Sequence, residues 1–192
     1  MSVETPRVDM EPKTMEDHLK YYQSVRDELV ERARLARDTM ARSYRDFKVG
    51  CSVLVWTGKE YVIHSAGNDT PERVVPPRQG KEKRCAERQA LELALVEPKE
   101  GQIVVAIVTF SKELATNPDD PRHYHDVLHP CPDCRQLLRE LQAQGKITDE
   151  TVMNNVHDRE KSDDRDVKMW SEERSTKGLL SLYDSQGHRK EE

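Results

Sequence analysis

The sequence predicts an α/β fold, a mixed β-sheet covered by helices. Three observations carry that prediction: a helix-periodic segment opens the chain, a strand–turn–strand unit follows, and a nearly continuous apolar run lies between two further helix-like segments. From Thr14 or Glu16 to about Arg42, Leu19, Tyr22, Leu29, Ala33, Ala36 and Met40 recur at helical steps with Glu and Arg between them, which makes an amphipathic helix. Lys48 to Trp56 and Glu60 to Ser65 read as strands joined by the turn Thr57-Gly58-Lys59, a hairpin. Cys85 to Val96 is built from good helix formers and is stopped by Pro98. Gln102 to Phe110 is almost wholly apolar and β-branched, the pattern of a strand buried on both faces. A helix follows from Cys131 or Pro132 to Gln144, ended by Gly145. Glu150 to Val156 and Val167 to Trp170 read as strands, and Thr176 to Tyr183 as a short helix.

The remaining segments are connections. Gly67 to Lys83 contains Pro71, Pro76, Pro77 and Gly80, and its length suits a functional loop rather than a plain connector. Ser111 to His129 is a polar loop with Pro118 and Pro121, and Asp158 to Asp166 is a charged insertion. Residues 1–13 read as a disordered lead and 186–192 as a flexible tail, leaving 14–185 as one domain. A chain of 192 residues can bury a substantial core in one such domain. The net charge of -5, with both signs mixed along the chain, argues against a broad electrostatic footprint for duplex nucleic acid and leaves room only for a local basic patch. No signal segment opens the chain and no apolar run reaches the ~18 residues of a membrane span. A cytoplasmic protein that engages no membrane is therefore expected.

Four cysteines are too few for a disulfide-built scaffold, and their placement says more than their number. Cys131 and Cys134 form a C-x-x-C pair, Cys85 precedes Ala86 and Glu87, and Cys51 lies in the first strand, where it reads as core. Two residues at i and i+3 on the first turn of a helix point their sulfurs the same way. The partial positive charge of a helix N-terminus favours the thiolate that a metal requires. If Cys85 also begins a helix, two helix N-termini converge on one ion with three sulfurs. Structural zinc sites normally have four protein ligands, whereas catalytic ones keep a position open for water, so three sulfurs with a carboxylate nearby is the catalytic count.

Glu87, two residues past Cys85, need not point at the metal. It can take a proton from the zinc-activated water and deliver protons to a ring nitrogen and a departing amine. A ligand, a Glu that is not a ligand, and then P-C-x-x-C is the order found in zinc deaminases. Three thiolates around Zn²⁺ leave a net negative charge, and Arg135, next to Cys134, and Arg88, three residues after Cys85, are candidates to offset it through hydrogen bonds to sulfur.

Cys85-Ala86-Glu87-Arg88 and Pro130-Cys131-x-x-Cys134-Arg135-Gln136, with Tyr44-x-x-Phe47-x-Val49-Gly50 and Gly67-Asn68 before them, resemble the cytidine deaminase family. The likeness is to its three-cysteine branch, which includes cytidine and blasticidin S deaminases, and runs from about Tyr22 to Tyr183. It implies a three-layer α/β/α cytidine deaminase-like fold with a mixed sheet. It also implies a zinc cofactor on Cys85, Cys131 and Cys134, and Glu87 as the catalytic acid–base. The reaction implied is hydrolytic deamination of a small cytosine nucleoside or related aminopyrimidine, with release of ammonia. By the same likeness Phe47 packs on the substrate ring, Asn68 binds the sugar, Ala86 belongs with them at the substrate, and the chain assembles as a homo-oligomer, a tetramer. One departure bears on substrate. Members that recognise cytidine carry a Glu two positions after the Asn, where this chain has Thr70; the next acid, Glu72, is the candidate replacement. The loop to Cys85 is also longer and carries Arg78, Lys81, Lys83 and Arg84, a cationic rim suited to a phosphorylated or otherwise modified sugar.

Competing readings make different demands. A structural zinc knuckle completed by His125 or His129 leaves Glu87 without a purpose. A thioredoxin-like redox pair belongs in a different βαβ context. Deamination of cytosine in single-stranded nucleic acid needs a basic groove with aromatic platforms, which 5% aromatics and a negative net charge do not favour. A catalytically silent zinc-binding interaction protein would have no use for an intact Glu87. His123 reads as a loop residue, and Trp56 and Trp170 as packing residues.

Overall fold

Helix α1 (Met15–Thr39) opens on a capping box in which Thr14 Oγ1 accepts from the Asp17 N–H and the Asp17 carboxylate accepts from the Thr14 N–H. The computed structural model describes residues 14–43, 48–70, 84–97, 99–112, 130–159 and 168–182. The predicted lead at 1–13 and tail at 186–192 lie outside them, as do Tyr44 to Phe47, Glu72, Arg78, Lys81, Lys83, His123, His125 and His129. The apolar stripe of α1 buries Tyr22, Val25, Leu29, Val30 and Ala33. The helix stops at Thr39 rather than at Arg42. There the chain turns out, and the Arg42 N–H bonds the Asn68 carbonyl at 2.7 Å. Arg42–Ser43 forms a two-residue strand, β1, parallel to β4 (Asp69–Thr70). Neither strand was expected from the sequence.

The main sheet contains β2 (Val49–Trp56), β3 (Tyr61–Gly67), β5 (Ile103–Lys112), β6 (Ile147–Arg159) and β7 (Lys168–Ser175), in the order β3-β2-β5-β6-β7. All neighbours are antiparallel except β5 and β6, which are parallel. Parallel neighbours need a crossover, and helix α3 (Pro132–Ala143) lies in it. Central β5 is buried from Val104 to Ser111, as its unbroken apolar run requires.

Alternation in β2 divides the core. Leu54 and Trp56 face α1, together with Val108 and Phe110 of β5. Cys51, Val53 and Val55 face α2 (Ala86–Ala94), α3 and α4 (Thr176–Ser181), and meet Ala90, Leu91, Leu138, Met153 and Leu179. The result is three layers, α/β/α, with Cys51 and Trp56 in the core as expected. Each large apolar side chain fully buried here contributes about 1.5–3 kcal/mol.

Gly50 and Gly67 sit opposite each other in the hairpin register. A Cβ on Gly50 would lie 1.9 Å from the Ala33 carbonyl oxygen, and one on Gly67 would lie 2.3 Å from the Ala41 nitrogen. Only glycine at both positions lets the end of α1 settle on the sheet. Two more expectations are corrected. Helix α2 ends at Ala94, before Val96, where the Gln102 side chain donates to the Ala94 carbonyl. Strand β6 runs from Ile147 through Asp158 and Arg159, residues expected in an insertion, because β7 pairs with it to the end (Asp158 opposite Met169, Arg159 opposite Lys168). No described helix is long and apolar enough to cross a membrane.

Candidate functional site

Two helix N-termini converge as the sequence suggested. Cys85 is the N-cap of α2 and Cys131 the N-cap of α3, both with extended backbone. Pro132 occupies the first turn of α3, where its missing N–H costs nothing. Neither cysteine spends its side chain on capping, so both sulfurs remain available as ligands. Cys134, in the first turn of α3, is buried and completes a cluster whose sulfurs all lie within 4.8 Å of one another. The Sγ atoms of Cys85 and Cys131 are 3.2 Å apart.

Thiols this close oppose one another's ionisation. The hydrogen bond shared with Cys131 pushes the Cys85 thiol up to about 12. Cys134 is also raised, by its hydrogen bonds to Cys131 and Cys85 and by burial. A divalent cation held among the three would replace the shared protons and remove that penalty. The donor set fits zinc, for which tetrahedral Zn–S bonds of about 2.3 Å hold sulfurs roughly 3.8 Å apart.

Glu87 enters the first turn of α2 and is only 7% exposed. Its charge is a secondary cause of the raised thiols at Cys85 and Cys134, and of that at Cys51, whose main cause is complete burial. The carboxylate therefore lies within electrostatic reach of the sulfur cluster and of the sheet beneath it. Ala86, fully buried, joins the core cluster between the N-terminal end of α2 and the sheet. Arg88 is half-buried on α2. Arg135 is buried and donates from Nη1 to the Pro130 carbonyl, one residue before Cys131. This contact braces the chain that presents Cys131.

Asn68, 4% exposed, follows β3 directly. Its Oδ1 accepts from the Val49 N–H at 2.9 Å, and its own N–H donates to the Val49 carbonyl at 2.9 Å. Asp69 and Arg84 exchange two backbone hydrogen bonds, of 2.8 and 2.9 Å, so the long connection between them returns to its starting point immediately before Cys85. From one turn beyond Cys85, Gln89 Nε2 donates to the Gly67 carbonyl at 2.6 Å.

Sequence reasoning missed Gln89, although its position four residues after Cys85 was a signal, since such residues share a helix face. It also missed a buried polar pair, Thr109 Oγ1 donating to Asn155 Oδ1 at 2.6 Å. Register places both on the same sheet face as Cys51. Of the expected site residues, the structure brings together Cys85, Cys131, Cys134 and Glu87 and ties Asn68 to the same corner; Phe47 and Glu72 lie outside the described residues.

Comparison with known proteins bears on the same stretch. The sequence model of the "Cytidine and deoxycytidylate deaminase zinc-binding region" matches residues 23–148. No curated protein matches the chain. Among solved structures, the chain is similar to a cytidine deaminase from Burkholderia pseudomallei, at 22% identity and TM-score 0.49, over 80% of this chain and 94% of that one. It is also similar to a cytidine deaminase from Mycobacterium tuberculosis, at 20% identity and TM-score 0.44, over 66% of this chain and 81% of that one.

Proposed function

Because the chain belongs to the cytidine and deoxycytidylate deaminase zinc-binding family, we propose that it is a zinc-dependent hydrolase of cytosine nucleosides or related aminopyrimidines. The reaction replaces the exocyclic amine with a carbonyl oxygen, consuming one water and releasing one ammonia. The observation that carries the reading is the convergence of the Cys85, Cys131 and Cys134 sulfurs at two helix N-termini with Glu87 buried beside them.

When bound, zinc supplies the Lewis acidity that activates water near neutral pH. The chain's residues do the rest. Glu87 takes one proton from the attacking water and gives it to the ring nitrogen. It then takes the second from the hydroxyl so formed on the ring carbon and passes it to the amine, which leaves as ammonia while the carbonyl forms. Ala86 packs at the base of the pocket, Asn68 holds the sugar, and Phe47 stacks on the ring. Fixing the ring against Glu87 converts a bimolecular attack into a positioned one.

The finer substrate follows from the departures. Thr70 cannot supply the carboxylate that cytidine-recognising members place there, and Glu72 with the cationic segment before Cys85 is the alternative. The Asp69–Arg84 pairing supports this, since it roots both ends of that segment beside Asn68 and Cys85. Unmodified cytidine is then a weaker substrate than a form with a phosphorylated or otherwise modified sugar. The test is kcat/KM, followed by the amine-to-carbonyl absorbance change and released ammonia, for cytidine, deoxycytidine, their monophosphates and blasticidin S. Turnover of none of these refutes the deaminase reading, and full efficiency on cytidine unaffected by Thr70→Glu refutes the altered pocket. The resemblance to the three-cysteine branch also supports a homo-oligomer, a tetramer, and sedimentation as a 22.2 kDa species at micromolar concentration would refute that.

A further inference from the structure

We propose that Gln89 is a positioning residue that fastens the Asn68 turn to helix α2 and so sets the spacing between the sugar-holding and metal-holding halves of the site. The inference rests on the deaminase reading above. It starts from connectivity. Asn68 lies between two residues that are tied to α2 or its approach: Gly67 through its carbonyl to Gln89 Nε2, and Asp69 through two backbone bonds to Arg84. Cys85 lies between the two residues that make those ties, Arg84 before it and Gln89 one turn after it. The ligand and the sugar residue thus occupy opposite sides of one closed frame.

Three other bonds hold the same turn: Arg42 N–H to the Asn68 carbonyl, Val49 N–H to Asn68 Oδ1, and Asn68 N–H to the Val49 carbonyl. These bind it to β2 and the end of α1, not to α2. The Asp69–Arg84 bonds are backbone only and would form with other side chains at those positions. Among the described ties from the turn to α2, Gln89 supplies the side-chain link. Its amide also suits the task. Gly67 ends an edge strand, whose carbonyls need partners from outside the sheet, and a neutral –NH₂ donates without adding charge beside three thiolates.

If Gln89 only packed, losing its donor would lower thermal stability and leave the kinetic balance alone. If it positions Asn68, loss of the donor loosens the turn and weakens substrate binding while the metal and Glu87 stay in place. The test compares the zinc-loaded parent with Gln89→Glu, which is nearly isosteric but turns an acceptor toward the Gly67 carbonyl. Gln89→Met, uncharged and a good helix former, serves as the second variant. Zinc per chain is expected to match the parent, and Tm to fall by about 2–4 °C for each kcal/mol of lost hydrogen bonding. Amide hydrogen exchange at Asn68 and Asp69 should quicken by about tenfold. KM for the best substrate of the panel should rise about tenfold, with kcat within about threefold, the signature of lost binding rather than lost chemistry. Unchanged exchange at both residues in both variants overturns the proposal, and so does quickened exchange with an unchanged KM. A parent that leaves the whole panel intact refutes the deaminase reading instead, and the exchange comparison still decides whether Gln89 holds the turn.

Discussion

Replacing Glu87 by Gln separates the proton-transfer role from every other role that residue could have. Gln has nearly the same shape, so the buried position in the first turn of α2 stays filled and the packing around Ala86 and Cys51 is preserved. The electrostatic consequence runs in favour of the metal. The Glu87 charge helps to hold the Cys85 and Cys134 thiols up, so its removal eases their ionisation and zinc should be retained at least as tightly. What Gln cannot do is accept a proton from water. Positioned general acid–base catalysis contributes about 10²–10⁴ in rate, so kcat should fall by that factor, about 3–5 kcal/mol of transition-state stabilisation. The assay pairs elemental analysis of the purified variant with stopped-time measurement of ammonia release. A variant holding one zinc per chain with kcat within tenfold of the parent would remove Glu87 from the chemistry. A variant that lost its zinc would show instead that Glu87 supports the metal site.

Cys85→Ala, Cys131→Ala and Cys134→Ala should each abolish tight zinc binding, because two sulfurs leave an ion short of the three protein ligands a catalytic site needs; undiminished zinc in all three would sink the assignment. Gly50→Ala should cost at least about 3 kcal/mol, since its Cβ meets backbone atoms of Ala33 and Arg37 at 1.9 and 2.4 Å, and backbone cannot rotate away. A Tm lower by about 6–12 °C in calorimetry is the expected reading, and a change under 2 °C, roughly one-third of that lower bound, would mean α1 does not press on β2 as described. His18, buried among Trp56 and Tyr61 with Nδ1 2.9 Å from the Tyr61 hydroxyl, has its pKa lowered from 6.5 by burial. The folded state therefore binds this proton less tightly than the unfolded state, and stability is held above pH 6.5 and lost as pH falls through the folded value. His18→Gln should flatten the acid side of the Tm-versus-pH curve, and an unchanged curve would assign the acid sensitivity elsewhere.

The long elements were legible because their periods were. Twenty-five residues of α1 repeat an apolar stripe many times over, and β5 is apolar on both faces from Ile103 to Val108. The β1–β4 pair was invisible because two residues have no period, and it exists only because the ends of α1 and β3 meet. Strand β6 was read too short because its ends are polar, whereas its length is set by the partners β5 and β7. The Cys131–Cys134 half of the sulfur cluster was legible from spacing, since a helix converts i and i+3 into neighbouring sulfurs, whereas Cys85 joined it only on the expectation that it too begins a helix and on the family resemblance. Gly50 and Gly67 could be quoted as motif residues, but their reason, the close backbone of α1, belongs to tertiary structure. Gln89 was missed on related ground: its spacing from Cys85 marks the helix face it shares, but its partner, the Gly67 carbonyl, is main chain and is set by tertiary structure.

The architecture separates what must be fixed from what can vary. The three sulfurs and Glu87 stand on the first turns of α2 and α3, both packed against the sheet, so their geometry is inherited from a rigid core. The connections 44–47, 71–83 and 113–129 all leave or rejoin the described chain at this same end. The first lies between Ser43 and Lys48, beside the Val49 that bonds Asn68. The second lies beyond the Asp69–Arg84 pair, and the third runs between the end of β5 and Pro130. Loops anchored on a rigid frame can lengthen at little cost, because closure entropy grows only slowly with length. The Asp69–Arg84 bonds make this concrete, since residues added beyond them need not move Asn68 or Cys85. Under the proposed deaminase reading, substitution at Thr70 and elongation before Cys85 would act on what the site admits, while the three sulfurs and Glu87 stay as the helices place them.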